Sequence, residues 1–310
     1  MSEISEISVT AGKGAITGNG GTAGSGMRLE LDCAGYTYQA GTHFAVQALD
    51  PVSLKIEPGE RVAIAGPVGS GKSTLLQMLA GVQEPTTGKV FHDGREITHR
   101  NQPRVGSIGL AFQSPENCLF EKTVFDDVAF GPRRLGLDSP EIKRRVEEAL
   151  AATGLDPTAF GSRSPFSLST GEQRRVALAG VLAMEPRALL LDEPTAHLDP
   201  ATRRDLIDRL VRLNNDTGVM LVIVGHDMDE LARFSGRLVV IDSGRKVADG
   251  PAAEILTDPA RLAGYGLDSP GTVQVCELLA EAMGRPLDPV LDESRLVEML
   301  AGIMDERAAR

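Results

Sequence analysis

Long apolar runs are missing from this chain. The best short one, residues 176–184, follows three charged residues and falls well short of the ~18 needed to cross a bilayer, which argues against a spanning helix. The opening MSEISEISVT carries neither a basic n-region nor an apolar h-region, so no secretory signal is expected. Cysteine is scarce. Cys33, Cys118 and Cys276 are odd in number and widely spaced with no CxxC pair, which excludes a disulfide framework or a zinc site and suits a reducing cytosol. They read as core or near-core thiols. Repeats of 20 to 50 residues are absent. Positive charge is also in deficit: 32 Lys and Arg stand against 43 Asp and Glu, a net charge of −11. So acidic a surface argues against broad nucleic-acid binding.

What remains is a soluble globular composition, 42% hydrophobic and 24% charged. At 310 residues the chain is long enough for about two domains or subdomains. Residues 1–26 hold little that builds a core, and 10–26 are mostly Gly, Ala, Ser and Thr, the composition of a flexible tail. From Met27 the texture changes. Leu29, Leu31 and Cys33 alternate with charged residues, as do Val52, Leu54 and Ile56 with their neighbours, giving the period of half-buried strands. Residues 62–65 form a short apolar strand, then a Gly-rich turn, then a helix over 74–80 that Gly81 stops: one α/β unit. The section 114–185 is rich in helix signals. Ser139 as N-cap and Pro140 at N1 open a helix whose apolar face is Ile142, Val146, Ala149 and Leu150, and a second helix is predicted over 171–184. Apolar runs at 188–191 and 219–224 read as buried parallel strands, and 237–242 with 246–248 as a hairpin around Ser243-Gly244. Residues 268–310 carry nine acidic and four basic residues, with helical patches at 273–283 and 294–304. The predicted division is 1–26, 27–250, and an accessory extension over 251–310.

Gly66-Pro67-Val68-Gly69-Ser70-Gly71-Lys72-Ser73 matches G-x-x-x-x-G-K-[ST]. Backbone N–H groups converge on phosphate oxygens there only if side chains stay clear, hence the glycines, and the next helix, with Thr74 in its first turn, aims its positive end at the same anion. Lys72 is the candidate for the β- and γ-phosphates, and Ser73 for Mg²⁺. The strand at 188–191 then delivers Asp192 and Glu193 at its C-terminal end, where open α/β sheets bind ligands. Asp192 is the candidate to hold Mg²⁺, and Glu193 to act as general base. These two elements define a P-loop nucleotide hydrolase.

A third stretch narrows the class. Leu168-Ser-Thr-Gly-Glu-Gln-Arg-Arg175 resembles the signature peptide of ATP-binding cassette (ABC) ATPases. Ser169 and Glu172 are also spaced as a capping box that opens a helix. The resemblance covers about residues 28–250. It implies an α/β fold: a RecA-like P-loop core with an antiparallel β subdomain, a helical subdomain over about 114–185 and a short C-terminal extension. It also implies that Ser169 and Gly171 serve the γ-phosphate held by the opposite subunit of a dimer. Gln113 fits the Q-loop, touching Mg²⁺ and the attacking water. Asp199 fits the D-loop and His226 the switch histidine. Tyr38 fits the aromatic that stacks on adenine, with Tyr36 as competitor on the same sheet face. Thr170 stands where the family has a second Gly, and His197 where it has a small residue.

Within that class, Tyr36-Thr-Tyr-Gln-Ala-Gly-Thr, Phe112-Gln-Ser-Pro-Glu-Asn-Cys-Leu-Phe, Phe130-Gly-Pro, Ser164-Pro-Phe-Ser-Leu-Ser and Ala179-Gly-Val-Leu-Ala-Met-Glu-Pro resemble the ATPases of energy-coupling factor (ECF) importers of vitamins and metal ions. That resemblance implies a peripheral ATPase on the cytoplasmic face of the membrane. It would pair with a second, similar or identical ATPase beneath a transmembrane coupling subunit and a substrate-capturing membrane subunit. ATP and Mg²⁺ are the implied ligands. Residues 114–132, with Leu119, Phe120, Val124 and Phe125, are the implied groove for the coupling helices. Two alternatives stand beside this reading: a non-catalytic, ATP-gated partner subunit, and a soluble ABC mechanoenzyme. The chain's one Gly-rich loop and its lack of sustained heptads count against the latter.

Overall fold

The computed structural model describes residues 26–308, so the predicted Gly-rich tail lies almost wholly outside the described residues. In β1 (Leu29–Tyr38), Leu29 and Leu31 are buried and face Ile56 and Leu54 of β2 (Val46–Ile56). The predicted alternation ends at Cys33. Its φ is +45°, its N–H donates to Ser53 Oγ at 3.0 Å, and the register slips so that Ala34 is buried instead. A bulge swaps faces in this way. The thiol therefore sits in solvent, as does that of Cys118, and of the three only Cys276 is a core thiol.

The glycine loop connects β3 (Arg61–Ala65) to α1 (Lys72–Leu79). The helix starts two residues earlier than predicted and ends at Gly81, whose φ of +73° no β-branched residue would tolerate. Next, β4 (Thr87–His92) and β5 (Arg95–Glu96) complete a four-stranded antiparallel sheet ordered β2-β1-β4-β5.

After β6 (Ile108–Ala111) the chain turns helical: α2 (Val124–Arg134), α3 (Ser139–Ala152), α4 (Pro157–Phe160) and α5 (Thr170–Leu182). Val124, Val128, Val146, Leu150, Val176 and Ala179 bury the contact between α2, α3 and α5. The cap of α3 is Asp138 rather than Ser139. Its carboxylate accepts the Glu141 N–H at 3.0 Å, a stronger acceptor one residue earlier in the chain.

The remaining strands alternate with helices: β7 (Ala188–Asp192), α6 (Pro200–Thr217), β8 (Met220–Val224), α7 (Met228–Phe234), β9 (Arg237–Asp242) and β10 (Arg245–Pro251). They form a six-stranded sheet, β10-β9-β3-β8-β7-β6, parallel except for the β9–β10 hairpin. Both faces are buried. Val62, Ile64, Leu190, Val222 and Ile241 point toward the antiparallel sheet and α1, while Ala63, Ala65, Leu191, Ile223 and Val240 meet the helices on the other side. Sequence reasoning passed over α6, although Asp199-Pro200 and the spacing Leu206, Ile207, Leu210 mark it.

Beyond residue 251 come α8 (Ala252–Leu256), α9 (Pro259–Gly264), α10 (Gly271–Met283) and α11 (Glu293–Ala308). The last two lie on the predicted helical patches. Ala252, Ile255, Leu256 and Leu262 join the main core. The start of α10 is tied to α7, with the Gly271 N–H donating to Asp229 Oδ1 at 2.8 Å.

Candidate functional site

The glycines of the loop answer different demands. Gly66 has a φ of +151°, and a Cβ there would lie 1.9 Å from the Ile241 carbonyl oxygen. Gly71 has a φ of +102°, and its Cβ would lie 2.5 Å from the Ala48 oxygen. At Gly69 only the positive φ of +79° asks for glycine, since nothing lies within 4 Å of its Cβ position. Pro67 and the fully exposed Val68 form the rim. No side chain caps α1, so its first-turn N–H groups are left for an incoming anion. Ser70 is buried and its hydroxyl has no hydrogen-bond partner. Lys72 folds back to donate to the Gly66 and Pro67 carbonyls at 2.8 and 2.7 Å. Burial pushes its ammonium below the usual lysine range, and the Glu193 and Asp192 carboxylates oppose this. A cation bonded only to carbonyls, an orphaned hydroxyl and uncapped N–H groups make a cradle that fits a polyphosphate.

Asp192 ends β7 nearly buried, and the Ser73 hydroxyl bonds to its carboxylate. Burial pushes this carboxyl up, and the neighbouring Glu193 charge adds to the effect. An aspartate and a hydroxyl fit Mg²⁺, which keeps waters and phosphate oxygens as its other ligands. Among the described residues no cluster of three His, Cys, Asp or Glu offers an all-protein metal cage.

Glu193 is the meeting point of three segments distant in sequence. Its φ is +48°, a strained value for a non-glycine residue, held by its N–H donating to the Val224 oxygen at 2.9 Å. Its Oε2 accepts from Gln113 Nε2 at 3.3 Å, and its Oε1 lies 3.2 Å from His226 Nδ1. The tertiary fold thus brings together Gln113 after β6, Glu193 after β7 and His226 after β8.

The predicted partner-facing residues lie apart from this cluster. Ser169 caps α5: its hydroxyl accepts the Glu172 N–H, and its own N–H donates to the Glu172 carboxylate at 2.8 Å, completing the capping box. At Gly171 an added Cβ would lie 3.0 Å from Leu198 Cδ2. Asp199 caps α6, accepting from the Ala201 and Thr202 N–H groups at 3.1 Å each. Among the described residues no hydrogen bond joins Ser169 or Asp199 to the glycine loop. Tyr38 lies over the start of α1, its hydroxyl 3.1 Å from Thr74 Oγ1 and its ring edge-to-face with Tyr36 at 4.8 Å. Tyr38 is the more exposed ring, 43% accessible, while Tyr36 packs against the core.

Residues 49–196 match the ABC transporter family. The chain is 46% identical over 285 residues to the energy-coupling factor transporter ATP-binding protein EcfA2 of Symbiobacterium thermophilum, covering 91% of this chain and 98% of that one. This chain belongs to the ABC transporter family, among the ATPases of energy-coupling factor type. The protein of the same name from Clostridium perfringens is 40% identical over 258 residues, covering 82% of this chain and 90% of that one. Among solved structures, CbiO1 from Clostridium perfringens, described as part of the ABC transporter complex CbiONQ, superposes with a TM-score of 0.68 at 34% identity, covering 82% of this chain and all of that one. A dimeric ABC cassette in a post-hydrolysis state bound to ADP and Pi gives a TM-score of 0.65 at 30% identity, covering 72% and 98%.

Sequence reasoning quoted one residue of this ECF-type ATPase without singling it out. Arg174, 2% exposed, is among the largest fully buried side chains. It donates to the main-chain oxygens of Gln113 and Ala196. Burial pulls its guanidinium below the usual arginine range, opposed by the Glu116 and Glu193 charges, and arginine stays protonated throughout. The available signal was its spacing: Arg174, Leu178 and Leu182 lie four apart on one buried face of α5.

Proposed function

We propose that this chain is the ATP-hydrolysing subunit of an energy-coupling factor importer for a micronutrient, a vitamin or a metal ion. It works as one of two cassettes on the cytoplasmic face of the membrane, beneath a transmembrane coupling subunit that serves a substrate-capturing membrane subunit. Among the described residues no helix is long and apolar enough to cross a membrane, which agrees with a peripheral place. The name of the first relative and the dimeric cassette among the structural neighbours support the reading.

ATP enters with its phosphates in the loop 66–73 and its adenine against Tyr38. Lys72 leaves the Gly66 and Pro67 carbonyls for β- and γ-phosphate oxygens, exchanging neutral acceptors for charged ones. Mg²⁺, held by Ser73 and Asp192 with Gln113 nearby, would supply charge neutralisation at the phosphates. Glu193 takes the proton of the attacking water, while Gln113 and His226, already within hydrogen-bond reach of its two oxygens, orient it and contact the γ-phosphate. The capped start of α5, with Ser169 and Gly171, presents N–H groups and a helix dipole to the nucleotide of the second cassette, and Asp199 lies at the same interface. Closure on ATP and opening after hydrolysis then drive the membrane partner.

The observation that carries this reading is the convergence of Gln113 and His226 on the two oxygens of Glu193, beside the Asp192–Ser73 pair. Replacing Glu193→Gln is expected to cut turnover by ~10²-fold or more and to accumulate an ATP-bound dimer. Steady-state hydrolysis and size-exclusion with ATP measure both. Wild-type turnover in that variant removes Glu193 from its role.

A further inference from the structure

Glu193 is held by neighbours, and those neighbours are themselves held. Gln113 follows β6, and the turn Ala196–His197 follows Glu193 on the way to α6. Both are exits from sheet strands. The turn closes on itself, with the Ala196 N–H donating to the Glu193 oxygen at 3.2 Å, and two further ties reach across to the Gln113 segment or to the turn from outside. One is the Gln113 side-chain bond to Glu193 itself. The other comes from α5. The Arg174 guanidinium donates through one terminal nitrogen to the Gln113 carbonyl, and through the other to the Ala196 carbonyl, with His197 Nδ1 3.4 Å away. Its Nε lies 3.8 Å from Glu116 Oε2, and neither atom has a hydrogen-bond partner. Selection for volume alone would place an aliphatic side chain here and strand neither atom, because a buried ion pair with incomplete bonding adds little to stability.

We propose that Arg174 is a positioning residue for ATP hydrolysis, whose forked guanidinium fixes the spacing of the Gln113 segment and the Ala196–His197 turn on either side of Glu193. The proposal rests on the ATPase reading above. The chemistry asks for arginine. Two carbonyls on separate segments need two divergent N–H donors in one rigid plane, and an ammonium acts as a single point charge. Arg174 bonds the main-chain oxygens of Gln113 and Ala196 and not the Glu193 carboxylate, so it acts through the segments that carry Gln113 and Glu193. It also places the buried face of the signature helix in direct register with the loops around the base. A shift of α5 therefore reaches Gln113 and Glu193 through one side chain.

The test compares Arg174→Met and Arg174→Lys with wild type and Glu193→Gln in the full chain. It measures kcat and KM for Mg-ATP, equilibrium binding of a fluorescent ATP analogue, and the melting temperature. Arg174→Met is expected to lower kcat by roughly 10- to 100-fold, the scale of a ~1 Å misplacement. Its analogue affinity should stay within about 2-fold of wild type, a loss confined to the transition state. Arg174→Lys should recover only part of kcat. Adding Gln113→Ala to Arg174→Met should cost less than the product of the two single effects, because both act on one unit. Wild-type kcat in Arg174→Met overturns the inference while leaving the ATPase reading intact, provided Glu193→Gln is inactive. A parallel fall of kcat, affinity and melting temperature in both Arg174 variants also overturns it, as a mere packing role. An active Glu193→Gln overturns the ATPase reading and the inference with it.

Discussion

Alanine placed at Gly66 and at Gly69 should separate two reasons for a glycine. At position 66 the new Cβ meets the Ile241 oxygen at 1.9 Å, where ordinary contact begins at 3.4 Å. That oxygen belongs to Ile241, fully buried in β9, where Val240 pairs with Ala65 of the strand leading into the loop. The strand has little freedom to yield, so the loop must retreat by about 1.5 Å, and with it the N–H groups of the proposed phosphate cradle. Backbone strain of about 1–3 kcal/mol adds to this overlap. Gly66→Ala is therefore expected to lose about 3 kcal/mol or more. Its melting temperature should fall by roughly 5–10 °C. Binding of a fluorescent ATP analogue should weaken by ~10²-fold, the usual consequence of an ångström-scale misplacement. At position 69 the space around the Cβ is open, so Gly69→Ala costs strain alone, about 1 kcal/mol. Thermal melts of the ligand-free protein and analogue titrations provide both readings. If Gly69→Ala melted as low as Gly66→Ala, or if Gly66→Ala bound the analogue like wild type, the steric account would be wrong.

Other substitutions probe charge. Burial raises the Asp192 carboxyl, so its negative charge costs stability above that raised value, and the cost fades as pH falls through it. Asp192→Asn keeps an oxygen for Ser73 and should melt higher at neutral pH, by about 1 kcal/mol of stability, while losing Mg-dependent hydrolysis; a lower melting temperature would refute the sign. On α3, Arg144 and then Arg145 hold Glu141 down to about 2 from 4.5. Its stabilising contribution is complete above 4.5 and is lost as pH falls from there toward about 2. Glu141→Gln should therefore flatten the urea-midpoint profile in that window, and an unchanged acid slope would contradict it. Glu193→Gln and the Arg174 pair complete the set.

Much of the site was legible because its chemistry is local. The residues that face a phosphate chain must be consecutive, so Gly66 to Ser73 announce themselves in a single stretch. The same holds for Ser169 and Glu172, whose capping box closes within one helical turn. Asp192 and Glu193 were legible for a different reason: a strand buried on both faces ends where polar residues resume. The misreadings were also local. Alternation carried β1 through Cys33, but a bulge there turned the thiol outward. A hydroxyl at Ser139 looked like a cap until the carboxylate of Asp138 outcompeted it. Arg174 was missed because a buried cation is defined by its partners, which lie 61 and 22 residues away.

The sequence by itself determined most of the strands, the helices α1, α3, α5, α10 and α11, and the order of the glycine-loop and carboxylate motifs, since propensity, capping and hydrophobic period act over a few residues; β4, β5 and the remaining helices came only with the structure. Only the tertiary structure decided that Gln113, Glu193 and His226 share one point. Parallel pairing aligns the C-terminal ends of β6, β7 and β8, and no short-range rule encodes which strands become neighbours. Burial completed the selection, because the two-sided apolar faces of that sheet must be covered at once by the antiparallel sheet and the helices.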